Sequence, residues 1–475
     1  MRPLPRLASR PGMAHYDLVV IGSGPAGEKG AAQAAYFKKK VALVEWRPVL
    51  GGAGANTGTL PSKTLRETAL YLSGFRQRGL FGVEMVLSHK AGVKDLLFRE
   101  RTVSHEESVR VQQNMHLHQV DVFQGKARLQ DAHTVVVRRP GSEEKLTADV
   151  ILVATGSRPL HPPLFPFGAQ GIYDSDTILQ MEEVPHSLVV VGGGVIGCEY
   201  ACTFAALGIP VTLVEPRSPL LSFLDGEMSE RLQERMSDLG VQFRMPDAVE
   251  AVEVEDGRVT LGLKSGTSVQ SAAVLVAMGR SANSRGLGLE EVGVTIGERD
   301  RIVVDAHFQT SVSHIFAAGD VIGFPALAST AMEQARVAMA HAFALYPKEA
   351  LAPILPYALY TIPELSMAGE TEESLKKQGI PYVVGRGAYA TNARGQIIGD
   401  GGGYLKLIFR REDMKLLGVH IIGEAASELV HIGLTALFLG GTAQLFIETC
   451  YNYPTLSETY KYATYNALGQ RDPVS

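Results

Sequence analysis

The sequence predicts an α/β chain built from two copies of one strand–turn–helix–strand plan. Three observations carry this. A β-branched apolar strand runs into a glycine-rich turn and then a helix, twice. In each copy a second strand follows and ends on an acid, 23 residues after the first glycine. Each copy also has a distal apolar strand closing in Ala-x-Gly.

The first copy opens at Tyr16–Ile21 (YDLVVI), an apolar strand signal followed by glycine. Gly22-Ser23-Gly24-Pro25-Ala26-Gly27 comes next, then a helical pattern to about Lys39, then strand Val41–Val44, which ends at Glu45. In such a turn Gly22, Gly24 and Gly27 let the backbone bend tightly and approach a pyrophosphate. The helix start offers free N–H groups and a positive dipole end. The acid accepts hydrogen bonds from an adenosine ribose. The second copy runs from Leu188–Val191 through Gly192-Gly193-Gly194-Val195-Ile196-Gly197 and a helix to strand Val211–Val214, ending at Glu215. Gly192, Gly194 and Gly197 repeat the fingerprint. One such motif is weak evidence; two complete units with equal spacing are strong. The distal strands are Ala148–Gly156, which holds Thr155 and Gly156, and Ala272–Gly279. The first copy is about 47 residues longer. The extra length falls most simply between Gly51 and Met115, where Val93–Met115 reads as a helix.

A chain of 475 residues has room for roughly three domains of about 150 residues each. It is 45% hydrophobic and 20% charged, which excludes a disordered or fibrous protein. A net charge of −5 offers no basic field for nucleic acid. Cys198, Cys202 and Cys450 give neither a disulfide framework nor a metal-ligand pattern, and fit a reducing, cytoplasmic location. No uninterrupted apolar run of about 20 residues predicts a membrane span. Residues 1–13, rich in arginine and proline, read as a disordered extension, with Met13 as an alternative start. Two dinucleotide sites in one chain imply electron transfer between two dinucleotides, and a flavin beside a nicotinamide is the usual pairing.

With these motifs in place, the chain resembles the FAD-dependent pyridine nucleotide-disulfide oxidoreductases, the family of dihydrolipoamide dehydrogenase and glutathione reductase. The resemblance runs from Tyr16 to Leu468. It includes Gly51-Gly52 through Pro61-Ser62-Lys63, Ala154-Thr155-Gly156, Gly279-Arg280, Ala317-Ala318-Gly319-Asp320, Thr361-Ile362-Pro363-Glu364 and Pro454–Glu458. It implies two Rossmann-like FAD- and NAD(P)-binding domains plus a C-terminal α+β dimerisation domain. The segments expected are 14–157 (FAD, first part), 158–280 (NAD(P)), 281–349 (FAD, second part) and 350–475 (interface), in a homodimer. FAD would be held by Gly22, Gly24, Gly27, Glu45, Gly52, Lys63, Thr155, Gly156, Gly319 and Asp320. NAD(P)H would be held by Gly192, Gly194, Gly197, Glu215, Arg217 and Gly279. Asp320 would serve the ribityl-pyrophosphate region; read from the residues alone it is equally a helix cap. Lys63 would lie near flavin N5 and pair with Glu199. Alone, a Lys after Pro-Ser reads as a solvated charge, whereas a Glu in an apolar helix needs a partner.

The departures carry the functional information. The family's redox cysteines fall at Gly54 and Thr59. Its acid–base histidine falls at Tyr453, while Glu458, which would orient that histidine, remains. A Tyr with an ordinary pKa near 10 is only about 0.1% ionised at pH 7 and cannot replace histidine. Thiol–disulfide chemistry is therefore not expected. The Tyr451–Thr455 ending and Thr59 resemble the soluble NAD(P) transhydrogenase branch, which keeps the first cysteine and lacks an acid at 215. Lys63, Glu199, Tyr453 and Glu458 are the expected catalytic residues, with no metal. The alternatives are an NADH-preferring diaphorase with a quinone acceptor, and a non-catalytic flavoprotein acting as redox sensor or assembly partner.

Overall fold

The computed structural model describes residues 14–74, 92–345 and 350–471. The expected extension at 1–13 and the start at Met13 lie outside the described residues. Two compact units are present among the described residues: 14–61, 101–159, 280–345 and 350–351 form the first, and 62–74, 92–100, 160–279 and 352–471 the second.

In chain order the first elements are β1 (Ala14–Ile21), α1 (Pro25–Tyr36), β2 (Val41–Glu45), α2 (Gly52–Asn56), α3 (Thr59–Leu72) and α4 (Val93–Leu117). Then come β3 (Asp121–Gln124), β4 (Lys126–Asp131), β5 (Thr134–Arg139), β6 (Ser142–Val153) and β7 (Ser157–Pro159). Among the described residues, the extra length of the first copy holds α2, α3 and α4. The second copy contains β8 (Ile172–Tyr173), β9 (Leu188–Val191), α5 (Val195–Ala206), β10 (Val211–Val214), α6 (Gly226–Asp238) and β11 (Val241–Arg244). The hairpin strands β12 (Val249–Glu255), β13 (Arg258–Leu263) and β14 (Ser268–Ser271) precede β15 (Ala273–Val276). The chain then forms β16 (Arg280–Ala282), β17 (Ile315–Ala317) and α7 (Ala328–Ala342). The C-terminal part comprises β18 (Tyr357–Leu359), β19 (Leu365–Gly369), α8 (Glu372–Gln378), β20 (Tyr382–Ala388) and α9 (Ala393–Ile397). It closes with β21 (Tyr404–Arg410), β22 (Leu416–Ile422), α10 (Ala426–Phe438), α11 (Ala443–Glu448) and α12 (Thr459–Arg471).

The first unit is organised by the sheet β3-β2-β1-β6-β5-β4, with β17 pairing parallel to the end of β6. Side chains alternate across β1, so Leu18 and Val20 meet the alanine faces of α1 and α7 while Val19 and Ile21 pack on the opposite side with Val153 and Ile315. Burial on both faces explains why β1 and β2 read as continuous apolar runs. Glycine at position 30 lets α1 pack closely on the sheet: a Cβ there would meet Leu152 Cδ2 at 2.5 Å. In the second unit the parallel sheet β11-β10-β9-β15-β8 repeats the plan. Val189 and Val191 of β9 face the β13 side chains Val259 and Leu261, while Leu188 and Val190 join the core with α5. The sheet β18-β19-β22-β21-β20 is antiparallel and buries Leu405, Leu407, Val419 and Ile421 against α10 and α12. Expectation and structure agree on the α/β class, the two strand–glycine turn–helix units and the helix beginning at Val93.

Lys406 breaks the apolar pattern of β21 and is fully buried. Its Nζ reaches Asp225 Oδ1 at 2.7 Å, Glu372 Oε1 at 2.5 Å and Glu227 Oε2 at 3.1 Å. These three carboxylates have the spacing of metal ligands, and the ammonium sits among them. Removing one partner of a buried ion group leaves uncompensated charge, so Lys406→Met should cost about 3 to 5 kcal/mol in urea unfolding at pH 7. The deficit should shrink on acidification, as protonation neutralises the carboxylates.

The same cluster sets an acid limit. Burial would raise Glu227, but its hydrogen bonds to Arg386 and Tyr404 and the Lys406 charge bring it down to about 2. Asp225 and Glu372 are lowered likewise, against burial, with Lys406 among the causes. Buried His420 lies below the ordinary histidine value because burial disfavours its charged form. All four groups bind protons more readily in the unfolded chain. Their contribution is therefore intact above about pH 6.5 and is lost progressively as pH falls towards 2. Thermal unfolding followed from pH 7 to 4 should show a falling midpoint; a flat profile would contradict this assignment.

Candidate active site

In the first unit the acid closing β2 is oriented by the glycine turn. Buried Glu45 accepts from Ser23 N at 3.0 Å and Ser23 Oγ at 2.6 Å on one oxygen, and from Arg47 N at 2.8 Å on the other. Ser23 Oγ also accepts from Gly51 N at 3.1 Å, tying this turn to the one before α2. Gly22 (φ 102°) makes the sharp exit from β1. Gly52 (φ 56°) lies against the turn so closely that a Cβ would meet Gly24 Cα at 2.6 Å. Gly24 caps α1 in extended conformation with Pro25 at the first helical position, and Gly27 falls in the first turn of that helix. Two glycine backbones in contact beside an open helix start form a cradle that fits a dinucleotide pyrophosphate. Glu28, buried in the same first turn, would oppose that anion. It is held by Lys29 Nζ (2.9 Å), Asn114 Nδ2 (2.7 Å) and Arg110 Nη1 (3.3 Å), which together overcome burial and keep it ionised.

The end of β6 and the end of β17 complete this surface. Thr155 Oγ1 donates to Asn283 O at 2.7 Å, and a Cβ on Gly156 (φ 68°) would meet open space. Gly319 N–H donates to Gln334 Oε1 at 2.8 Å. Asp320 Oδ2 accepts from Ser157 Oγ at 2.7 Å, and Arg280 Nε donates to that same hydroxyl at 2.7 Å. The helix-cap alternative for Asp320 is not realised: the cap position of its 3-10 turn is Gly319, with no side-chain cap bond.

In the second unit Gly192 (φ 109°) leads out of β9, Gly194 caps α5 in extended conformation facing open space, and Gly197 lies in the first turn of α5. Gly279 (φ 111°) follows β15, and its carbonyl accepts from Leu160 N at 3.0 Å. Glu215 is buried and fully engaged. Its Oε2 accepts from Gly193 N at 2.7 Å, and its Oε1 accepts from Arg217 N at 3.1 Å and Arg217 Nε at 2.8 Å. Burial would raise this carboxyl, but the Arg217 guanidinium and the Gly193 N–H hold it below its ordinary value. Arg217 is itself largely exposed. Glu215 and Arg217 thus form one ion pair across Pro216.

Lys63 and Glu199 are brought together within the second unit. Lys63 Nζ donates to Glu199 Oε2 at 2.6 Å; Glu199 is nearly buried and Lys63 partly so. The other oxygen of Glu199 accepts from Tyr360 N at 2.9 Å. One turn after Lys63 on α3, buried Arg66 donates from Nε to Thr361 O at 2.9 Å and lies 3.4 Å from Glu364 Oε1. The sequence offered no reason to single out Arg66, Tyr360, Ser157 or Gln334. The signal available was helical spacing from Lys63 to Arg66 and the Thr361–Glu364 motif, whose partners only the fold reveals.

The redox-relay positions hold no thiol chemistry. Gly54 lies in α2, and a Cβ there would meet Pro25 Cγ at 2.9 Å; Thr59 begins α3 and is exposed. Cys198 and Cys202 are buried on α5, and burial pushes the Cys202 thiol up to about 12. Tyr453 is exposed, and Glu458 is half-buried in the turn before α12.

Residues 16–342 match the pyridine nucleotide-disulphide oxidoreductase family, and residues 355–464 match its dimerisation domain. The chain belongs to this family. It is an FAD-dependent NAD(P)H oxidoreductase. Among curated relatives, the soluble pyridine nucleotide transhydrogenase of Mycobacterium bovis is 45% identical over 460 residues, covering 96% of this chain and 98% of that protein. The protein of the same name from Pectobacterium atrosepticum is 39% identical, with 96% and 98% covered. Among solved structures, LpdA from Mycobacterium tuberculosis superposes with a TM-score of 0.87 at 27% identity, covering 95% of this chain and 99% of that one. The HOCl-induced flavoprotein disulfide reductase RclA from Escherichia coli gives 0.86 at 26% identity, covering 95% and 99%. Among the described residues no helix is long and apolar enough to cross a membrane.

Proposed function

We propose that this oxidoreductase is an NAD(P) transhydrogenase that moves reducing equivalents between nicotinamide nucleotides through FAD, with no disulfide relay. The observation that carries the reading is a pair of complete dinucleotide cradles in a chain whose relay positions are Gly54 and Thr59. FAD held there would supply a centre able to accept and give up a hydride between nicotinamide nucleotides. The residues do the rest. Glu45, the Gly22–Gly27 turn, Gly52, Thr155, Gly156, Gly319 and Asp320 bind FAD. Gly192, Gly194, Gly197, Gly279, Glu215 and Arg217 bind the nicotinamide nucleotide, which occupies one site in both half-reactions. Lys63, held by Glu199, supplies the cation that stabilises negative charge during transfer. Segments 14–157 and 281–349 serve FAD, 158–280 serves NAD(P)H, and 350–475 forms a homodimer. The match to a dimerisation domain and the exposed apolar side chains Phe438, Leu439, Leu445, Tyr462 and Tyr465 support that assembly. Tyr453 and Glu458 belong to the same C-terminal segment and complete the site without acting as an acid–base pair. Three free cysteines fit a cytoplasmic setting.

Glu215 favours a second reading, an NADH-preferring diaphorase. A rate survey separates the two: NADPH with thio-NAD⁺, a water-soluble quinone and lipoamide as acceptors. Thio-NAD⁺ is expected to be reduced fastest and lipoamide not at all. Fast quinone reduction with no thio-NAD⁺ reduction would establish the diaphorase instead.

A further inference from the structure

We propose that Tyr360 is a positioning residue, whose ring and peptide N–H together fix the Lys63 ammonium against the Glu199 carboxylate. The inference rests on the reading of Lys63 as the cation serving hydride transfer. A lysine ammonium is a compact charge on a flexible four-carbon stem, so a single ion pair leaves it free to swing about the carboxylate. Here a third group closes the arrangement. Lys63 Nζ stands 5.1 Å from the centroid of the Tyr360 ring, within cation–π range. The same residue's N–H donates to Glu199 Oε1 at 2.9 Å, while Lys63 donates to Oε2 at 2.6 Å. One residue thus holds both members of the pair, the anion through its backbone and the cation through its side chain.

The segment carrying Tyr360 is itself anchored. Buried Arg66, on the same helix as Lys63, grips the carbonyl of Thr361 at 2.9 Å. Thr361 Oγ1 donates to Pro363 O at 2.6 Å. Glu364 accepts from Ser427 N at 3.1 Å and Ser427 Oγ at 2.8 Å. These contacts fix the backbone of the segment that carries the ring over Lys63. A π face, rather than a second carboxylate, supports the ammonium without neutralising it, which leaves its charge available.

The test uses the FAD-loaded dimer and reads the midpoint potential of the bound flavin alongside its reduction rate by NADH. Lys63→Met should lower the potential and slow reduction, which tests the underlying reading. Tyr360→Leu should shift both in the same direction, with reduction slowed about tenfold, and Tyr360→Phe, which keeps the ring, should restore both. In a Lys63→Met background Tyr360→Leu should add nothing. Tyr360→Met, of similar bulk without a π face, serves if the leucine variant does not fold. An unchanged potential in Tyr360→Leu or Tyr360→Met, beside a shifted Lys63→Met, would overturn the proposal alone. So would an equal loss in both backgrounds, which marks a merely structural residue. An unchanged Lys63→Met would overturn the reading of Lys63 and the proposal with it.

Discussion

Lys63→Met is expected to slow reduction of bound FAD by NADH on the order of a hundredfold while FAD stays bound. Removing one preoriented donor from a site of developing negative charge typically costs about 10²- to 10³-fold. Lys63 is the cation paired with Glu199 at 2.6 Å. Lys63 is one of ten residues proposed to hold FAD, and the other nine remain in the variant, so the visible flavin absorbance should survive purification. Glu199→Ala should also slow reduction, with an added loss of stability, because it leaves the ammonium in a partly buried place without its anion. Rapid mixing with NADH under anaerobic conditions measures the rate. A wild-type rate in both variants would reduce this pair to a structural role.

Arg217→Ala is expected to raise the Michaelis constant for NADPH by at least tenfold and to leave that for NADH within about threefold. In the structure the guanidinium neutralises Glu215, with Nε 2.8 Å from Oε1. A bare carboxylate about 4 Å from a 2′-phosphate charge would meet roughly 4 kcal/mol of repulsion at an effective dielectric near 20. The exposed guanidinium cancels much of that and offers charge-assisted bonds worth about 1.5 to 3 kcal/mol, each 1.4 kcal/mol being tenfold. The variant loses both effects for NADPH, whereas NADH carries no 2′-phosphate. Glu215→Ala should act in the opposite sense, lowering the NADPH constant and narrowing a wild-type preference for NADH. Steady-state kinetics with both coenzymes decides this. Equal losses for NADH and NADPH in Arg217→Ala would remove the guanidinium from coenzyme choice.

What the sequence made legible follows from how local each signal is. The glycine turns, their strands and the closing acids are written within about 25 residues of chain, and Glu45 and Glu215 each bond the backbone of their own turn. The departures at 54, 59 and 453 are legible only through the family resemblance, whose flanking motifs are equally local. Groups whose partners lie far along the chain were not. Lys406 reads as a defect in β21 until Asp225, Glu227 and Glu372 converge on it. Arg66 and Tyr360 have no pattern of their own, because their role exists only where α3 meets the 360–364 segment. Asp320 shows the converse: its local context suggested a cap, and a hydroxyl from Ser157, more than 160 residues away, takes its carboxylate instead. Coenzyme choice was half legible. The acid at 215 was visible, but not that Arg217 already neutralises it.

The central claim is that one nicotinamide site serves both half-reactions through bound FAD, without a disulfide. Initial rates with NADPH and thio-NAD⁺, each varied at several fixed levels of the other, test it most directly. Parallel double-reciprocal lines, with competitive inhibition by each substrate at high concentration, are the predicted result, since the first product must leave before the second nucleotide enters. Intersecting lines, which require both nucleotides bound at once, would contradict it.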